Sequence, residues 1–342
     1  MKISFLAPHL KVSGGVRIIL EYASRLAYAG HDVTVCVRSA NPIRRTVANL
    51  FGLGYPKWVA NFGARVLRVA DFTAEHIPAS DVLVATTYQT ALAIAEYPKE
   101  KGRQCYLLQH DEGLYHGDRA LSDRAYRLPQ EKIVVATWLK ELLKDKYGQE
   151  AVLLLNPVDR ELFRPVPRDL RDGVRILILD HTYDWKGTKE GVAIVAELKK
   201  KYPEIRLVGF GARKPQSEHR YDEYHYNLPQ EKLAWLYSNC DIFLCPSWDE
   251  GFGLPSIEAM ACKVAVATYD NGGSRDFAFH EKTALVAPRR DTKRLAVELE
   301  RLVRDPALRE RIAEGGYKHV LTMPTWEEQT KQLEKILVGE KQ

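Results

Sequence analysis

Pro246-Ser247-Trp248-Asp249-Glu250-Gly251-Phe252-Gly253-Leu254-Pro255-Ser256-Ile257-Glu258-Ala259-Met260 is the stretch that decides the fold. It follows an apolar run, Ile242–Cys245, that reads as a strand, and it passes through a glycine-rich turn into a helix start. Pro255 suits the first helical position, where its missing N–H costs nothing. The first turn of such a helix points backbone N–H groups at whatever precedes it, an arrangement that receives anions. Gly251 and Gly253 let backbone come close to that anion. Two carboxylates, Glu250 and Glu258, would repel a bare phosphate but suit hydroxyl donors. Phosphate and hydroxyls together describe a nucleotide-sugar. The plainer reading of the same residues is an acidic loop followed by an ordinary amphipathic helix.

The rest of the chain repeats the strand–turn–helix grammar. Residues 3–6, 33–37, 66–69, 82–85, 104–108, 132–136 and 151–155 read as strands in the first half. The helix after the first of them is clear: Val16, Ile19, Leu20, Ala23, Leu26 and Ala27 share one face, and Gly30 closes it. Asn156-Pro157-Val158-Asp159 breaks the pattern, and Pro165 and Pro167 follow. The second half restarts with strands at 175–179, 205–208, 242–245, 264–268 and 284–287, and helices at 189–202, 230–240, 255 onward, 291–304, after Pro306, and 326–338. Strands alternating with helices predict parallel, doubly wound sheets. The expected architecture is α/β, with two tandem Rossmann-like domains and a cleft between them: residues 1–158, residues 159–323, and a last helix over 324–342. Ligands of such sheets bind beyond the carboxyl ends of the strands.

The 342 residues are 45% hydrophobic and 28% charged, with a net charge of +5. That is ordinary for a soluble two-domain protein. No run approaches the about 18 apolar residues of a membrane span. The chain opens directly on a strand, and we expect no secretory signal and a cytoplasmic protein. Cys36, Cys105, Cys240, Cys245 and Cys262 are scattered among apolar neighbours and read as buried reduced thiols, not as a zinc set. Residues 1–160 carry 21 Lys and Arg against 16 Asp and Glu. No acid lies between Asp32 and Asp71, while Arg38, Arg44, Arg45, Lys57, Arg65 and Arg68 do, interleaved with Phe51, Tyr55, Trp58 and Phe62. Such a stretch fits a solvated loop and helix first. Peripheral contact of residues 38–68 with an anionic membrane, on its inner face, comes second. Nucleic acid is not an expected partner.

The motif at 246–260 resembles the Glu-x7-Glu motif of retaining GT-B glycosyltransferases, the glycosyltransferase family 4 or "group 1" enzymes. In organisation the resemblance covers essentially the whole chain; it is most specific over 228–290 and weakest over 38–100. It implies the GT-B fold, with an acceptor-side first domain, a donor-side second domain, and a last helix that returns to the first. It implies an EC 2.4 transferase of polysaccharide biosynthesis that moves a sugar, with retention, from a nucleotide-diphosphate-sugar to an acceptor hydroxyl on a glycan, a lipid-linked carrier or a small molecule. By the same resemblance Glu250 lies at the donor sugar, with Gly251, Phe252, Gly253 and Leu254 around the donor, and Glu258 holds the ribose.

Other segments fit that pattern. Lys186, in Asp184-Trp185-Lys186-Gly187, resembles the family lysine that neutralises the leaving phosphate. Where relatives carry an arginine five residues earlier, this chain has His181, a departure that leaves Arg213, Lys214 or Arg275 to supply a second charge. Ser13-Gly14-Gly15-Val16 resembles the Gly-Gly loop near the diphosphate, and Gly209-Phe210-Gly211 a second phosphate turn. Tyr106 to Glu112 resembles the tyrosine- and glutamine-rich version found in rhamnosyltransferase-like members, which makes His110 the contact to the sugar; Tyr115 and His116 are weaker choices. Tyr226 and Asn227 fall where the family holds the base. Asn271-Gly272-Gly273 reads first as a structural turn. Glu250, His110 and Lys186 are the expected catalytic residues. No cofactor and no metal are expected, since the nucleotide-sugar is a substrate and no Asp-x-Asp ends a strand. The competing readings are a nucleotide-sugar epimerase or phosphorylase on the same fold, and a non-catalytic sugar- or nucleic-acid-binding module.

Overall fold

Thirteen strands form among the described residues, most of them from short β-branched and aliphatic runs bounded by polar turns, all paired in parallel. The computed structural model describes residues 1–11, 13–51, 61–115, 117–169, 173–215 and 219–340. The chain divides into two units, Met1–Asn156 with Glu327–Gln342, and Pro157–Trp326.

The first unit runs β1 (Lys2–Ala7), α1 (Gly14–Tyr28), β2 (Asp32–Arg38), α2 (Pro42–Leu50), β3 (Arg65–Val69), β4 (Val82–Ala85), α3 (Tyr88–Ala95), β5 (Arg103–Leu108), α4 (Arg119–Tyr126), β6 (Glu131–Val134), α5 (Thr137–Tyr147) and β7 (Ala151–Leu153). Its seven strands lie in the order β3-β2-β1-β4-β5-β6-β7. The central strands are largely apolar because helices cover a parallel sheet on both faces: Phe5, Leu6, Val35, Leu83, Val84 and Leu107 are fully buried.

The second unit runs β8 (Arg175–Leu179), α6 (Thr188–Lys201), β9 (Arg206–Gly211), β10 (Glu223–Tyr226), α7 (Gln230–Ser238), β11 (Ile242–Cys245), α8 (Leu254–Ala261), β12 (Ala265–Tyr269), β13 (Leu285–Ala287), α9 (Thr292–Arg304) and α10 (Pro306–Thr322). Its sheet order is β10-β9-β8-β11-β12-β13. One core joins Ile176, Ile178, Leu207, Ile242 and Leu244 on the strands to Val195, Leu198, Leu295, Leu299 and Leu302 on the helices.

The last helix, α11 (Trp326–Val338), belongs to the first unit from Glu327 onward. Leu333, Ile336 and Leu337 are buried. The Arg103 guanidinium donates to the Leu337 and Ile336 carbonyls at 2.9 and 2.8 Å, and His31 pairs with Glu334 at 2.9 Å. All five cysteines are free and buried, and burial pushes the thiols of Cys36, Cys105, Cys240 and Cys262 up to about 12. Among the described residues no helix is long and apolar enough to cross a membrane.

Candidate functional site

In each sheet the strand order reverses beside the first strand of the unit, between β1 and β4 and between β8 and β11. The loops that leave such a pair diverge and open a crevice. In the second unit these loops are residues 180–187, after β8, and 246–253, after β11.

The two loops are built against one another. Gly187 holds φ +63°, and a Cβ there would stand 2.1 Å from the Pro246 carbonyl oxygen. The Trp248 N–H donates to the Trp185 carbonyl at 2.8 Å. The Glu250 N–H donates to the Asn271 carbonyl at 2.9 Å. The result brings together two predicted residues far apart in sequence: Lys186 Nζ donates to Glu250 Oε1 at 2.7 Å, with side chains 21% and 12% exposed. A half-closed ion pair is costly to desolvate and adds little net stability. Its value here is a fixed ammonium at a strand end.

Gly253, at φ +99°, caps α8. The helix starts at Leu254, so Pro255 is its second residue, not its first. Pro255 brings no N–H, and those of Ser256 and Ile257 both turn back to the Gly253 carbonyl, at 3.0 and 3.3 Å. This start therefore offers fewer donors to an anion than the sequence suggests. Glu258 sits in the second turn of α8, buried, and Tyr237 on α7 donates its hydroxyl to Oε2 at 3.2 Å. Phe252 packs edge-on against Phe277, with centroids 5.5 Å apart. Gly273 lies under the Phe252 backbone: a Cβ would come within 2.7 Å of its N, Cα and C atoms. Backbone cannot yield as a side chain can, so Gly273→Ala is expected to cost about 1–3 kcal/mol and to displace the Glu250 loop, read as a lowered denaturation midpoint with reduced ligand affinity. An unchanged midpoint would mean the turn is free to shift.

His181 follows β8. Its Nδ1 accepts the Tyr183 N–H at 3.2 Å, so the neutral ring carries its proton on Nε2. Burial, then the positive charge of Lys186, lowers its pKa to about 4. It is thus a neutral hydrogen-bond donor near neutral pH, not a replacement cation. Of the proposed second charges, Arg213 contributes to the positive potential at His181, whereas Arg275 is engaged with both carboxylate oxygens of Asp270, at 2.7 and 3.1 Å. Lys214 makes no contact that ties it to His181. Gly209 and Gly211 have a packing reason of their own. A Cβ on Gly209 would strike the Tyr221 and Tyr224 rings at 2.6–2.7 Å, and one on Gly211 would stand 2.8 Å from the Asp180 carbonyl. Beneath them Asp180 pairs with His219 at 3.2 Å, both 4% exposed, a pair the sequence did not announce. Tyr226 ends β10 with its ring exposed, and Asn227, at φ +49°, donates its N–H to Gly211.

The corresponding edge of the first unit gathers the other predicted residues. Ser13 caps α1 by accepting the Val16 N–H at 3.3 Å, so Gly14 and Gly15 form the first turn of the helix. Gln109, after β5, donates to the Gly15 carbonyl at 3.1 Å and so ties that turn to the loop that carries His110. The His110 ring meets Trp138 edge-on at 6.3 Å. Below it, Arg119 holds both oxygens of Asp111, at 3.0 and 2.9 Å, and Tyr126 donates to Asp111 as well. Glu112 receives the Tyr106 hydroxyl and the Tyr88 N–H, and burial raises its pKa to about 7. Tyr115 is half-buried on the same loop. His116, and Tyr55, Lys57 and Trp58 of the basic stretch, lie outside the described residues.

Residues 159–319 match the family described as Glycosyl transferases group 1. The O-antigen biosynthesis protein RfbC of Myxococcus xanthus is 28% identical over 283 residues, 80% of this chain and 22% of RfbC. The capsular polysaccharide biosynthesis glycosyltransferase CapM of Staphylococcus aureus is 38% identical over 85 residues, 25% of this chain and 22% of CapM. The chain thus spans about a fifth of the length of these curated relatives. The structure of HepE from Anabaena in complex with UDP-glucose aligns at a TM-score of 0.78 and 14% identity, over 99% of each chain, which shows a shared GT-B fold.

Proposed function

On the premise that residues 159–319 are a glycosyl transferases group 1 domain, we propose that the chain is a retaining glycosyltransferase that moves a sugar from a nucleotide-diphosphate-sugar to an acceptor hydroxyl without a metal ion. The observation that carries this reading is the Lys186–Glu250 pair at the β8/β11 switch point. Transfer breaks the bond between the anomeric carbon and the diphosphate oxygen. It forms a bond from that carbon to the acceptor oxygen on the same face. The acceptor proton passes to the departing phosphate. Negative charge grows on the diphosphate, where Lys186 stabilises it in a partly dry site. With the ammonium turned to the phosphate, Glu250 is released to accept hydroxyls of the sugar. The neutral His181 donates from Nε2, and Glu258 takes the ribose hydroxyls. His110, on the loop tied to Gly15, contacts the sugar. No metal is needed in this scheme, because the ammonium and nearby Arg213 supply the positive charge.

RfbC and CapM are named for O-antigen and capsular polysaccharide synthesis, which favours a glycan or a lipid-linked carrier as acceptor, met by a basic face of the first unit at the inner side of a membrane. HepE holds UDP-glucose, so UDP is the first nucleotide to test. In a thermal-shift panel of nucleoside diphosphates with EDTA present, a matching base at 100 times its Kd adds about 2.7 kcal/mol of stability. One base should therefore stand out. No shift with any of them, or a shift that appears only when magnesium is restored, would overturn the reading. Release of free nucleotide that depends on acceptor separates transfer from epimerisation and from simple binding.

A further inference from the structure

The two residues that precede Glu250, Trp248 and Asp249, are gripped from outside their own loop. The Trp248 indole N–H donates to Glu190 Oε2 at 3.0 Å. The other oxygen of Glu190 receives the hydroxyls of Tyr269 and Thr292. The Arg290 guanidinium lies over the Trp248 ring, 3.9 Å from its centroid. Arg289 holds both oxygens of Asp249, at 2.9 and 2.6 Å, and that carboxylate is 14% exposed. Glu190 stands in the first turn of α6, directly after the loop that carries Lys186. Tyr269 ends β12, just before Asn271, whose carbonyl receives the Glu250 N–H. Arg289 and Arg290 lie in the turn between β13 and α9. Groups from α6 and from that turn thus converge on the step before Glu250.

We propose that Glu190, Arg289 and Arg290 are positioning residues of the transfer, acting through Trp248 and Asp249 to fix the Glu250 carboxylate where it meets Lys186 and the donor sugar. This deepens the proposed function and rests on it for the identity of the ligand. Gly251 and Gly253 make the chain after Glu250 permissive, so the precision of its carboxylate depends on the residues before it. Charge adds a second reason. Asp249 without its arginine is another carboxylate beside Glu250, one that competes for Lys186 and repels a diphosphate. The contacts are specific to arginine. A two-pronged carboxylate pair and a flat stack on an indole both need the planar guanidinium, which lysine lacks. Distance from the reacting atoms is no obstacle to a large effect, since a displacement of about 1 Å costs about a hundredfold in rate.

The test compares the full chain with two double variants, Arg289→Ala with Arg290→Ala and Arg289→Lys with Arg290→Lys. Both arginines are exposed, so the denaturation midpoint should stay as in the wild type. Without ligand, hydrogen exchange of a peptide spanning 246–253, which holds the bonded Trp248 and Glu250 amides, should quicken about tenfold in the alanine pair while 175–179 keeps its protection. With UDP-glucose as the donor probe and UDP release as the readout, the alanine pair should lose roughly 10- to 100-fold in kcat, with a raised KM. The lysine pair, which keeps the net charge, should recover KM but not kcat. Added to Glu250→Gln, the alanine pair should cost less than about threefold more, because it acts through that carboxylate. Unchanged exchange at 246–253 overturns the proposal. So does a wild-type kcat in the lysine pair, which would reduce the arginines to bulk charge, or a full product of losses with Glu250→Gln. Failure of the transferase reading looks different: no nucleoside diphosphate stabilises the wild type, and the exchange comparison still decides the grip on Trp248 and Asp249.

Discussion

Replacing Lys186 by alanine is expected to lower kcat roughly 100- to 1,000-fold. The ammonium stands at hydrogen-bond distance, 2.7 Å, from Glu250. A charge placed where the diphosphate develops its negative charge acts on the transition state more than on the bound donor. KM should also rise, because the variant leaves the Glu250 carboxylate, only 12% exposed, without its cation and facing an anionic ligand. Glu250→Gln should behave differently. It frees the ammonium for phosphate, so donor affinity holds or improves while turnover falls. The two residues share one interaction, so the double variant should fall well short of the product of the single losses. Steady-state kinetics on the four proteins reads all of this. A wild-type kcat in Lys186→Ala removes the lysine from the reaction.

The second large effect is on stability and lies in the first unit. Glu112 has a folded pKa of about 7 against an ordinary value of 4.5, raised mainly by burial. The folded state therefore keeps a proton that the unfolded chain has already released. Its contribution is fully present below 4.5 and is lost as pH rises to about 7, a change of about 3 kcal/mol across that window. Glu112→Gln imitates the protonated acid, with its oxygen accepting the Tyr88 N–H and its amide donating to the Tyr106 hydroxyl. The variant should match the wild type in acid and exceed it by about 3 kcal/mol above neutrality. His181 works in the opposite sense. Its folded pKa is lowered to about 4, so its contribution is present above 6.5 and is lost as pH falls to about 4. Denaturant titrations of wild type and Glu112→Gln across that range isolate the glutamate, since His181 is common to both. Parallel curves would show that Glu112 titrates in the folded protein as it does in the unfolded chain.

The central strands were legible because parallel sheets write themselves as continuous apolar runs. Residues 82–85, 175–179 and 242–245 match the strands residue for residue. β10 was not legible. Glu-Tyr-His-Tyr lies at the edge of its sheet, half-exposed, and has no apolar run; it reads as a loop until its register against β9 is seen. Pro255 reads as the first residue of its helix but is the second, because the left-handed Gly253, and not the proline, sets where α8 begins. The site was legible as chemistry rather than as geometry. Glu250 and Lys186 were each chosen from local motifs, but 64 residues separate them, and only the adjacency of β8 and β11 brings them within 3 Å. Gly209 and Gly211 carried a phosphate-turn signal, whereas the structure gives them an immediate cause in the tyrosine rings above them.

The return of α11 also sets an order of events during synthesis. Residues 1–156 leave the ribosome well before the helix that seals their surface with Leu333, Ile336 and Leu337. The early segment must wait, with Arg103 and an apolar patch uncovered, while 170 intervening residues, 157–326, are made and fold. Nascent chains halted before Glu327 should therefore be prone to chaperone capture and proteolysis, and synthesis of α11 is the step that closes the first unit.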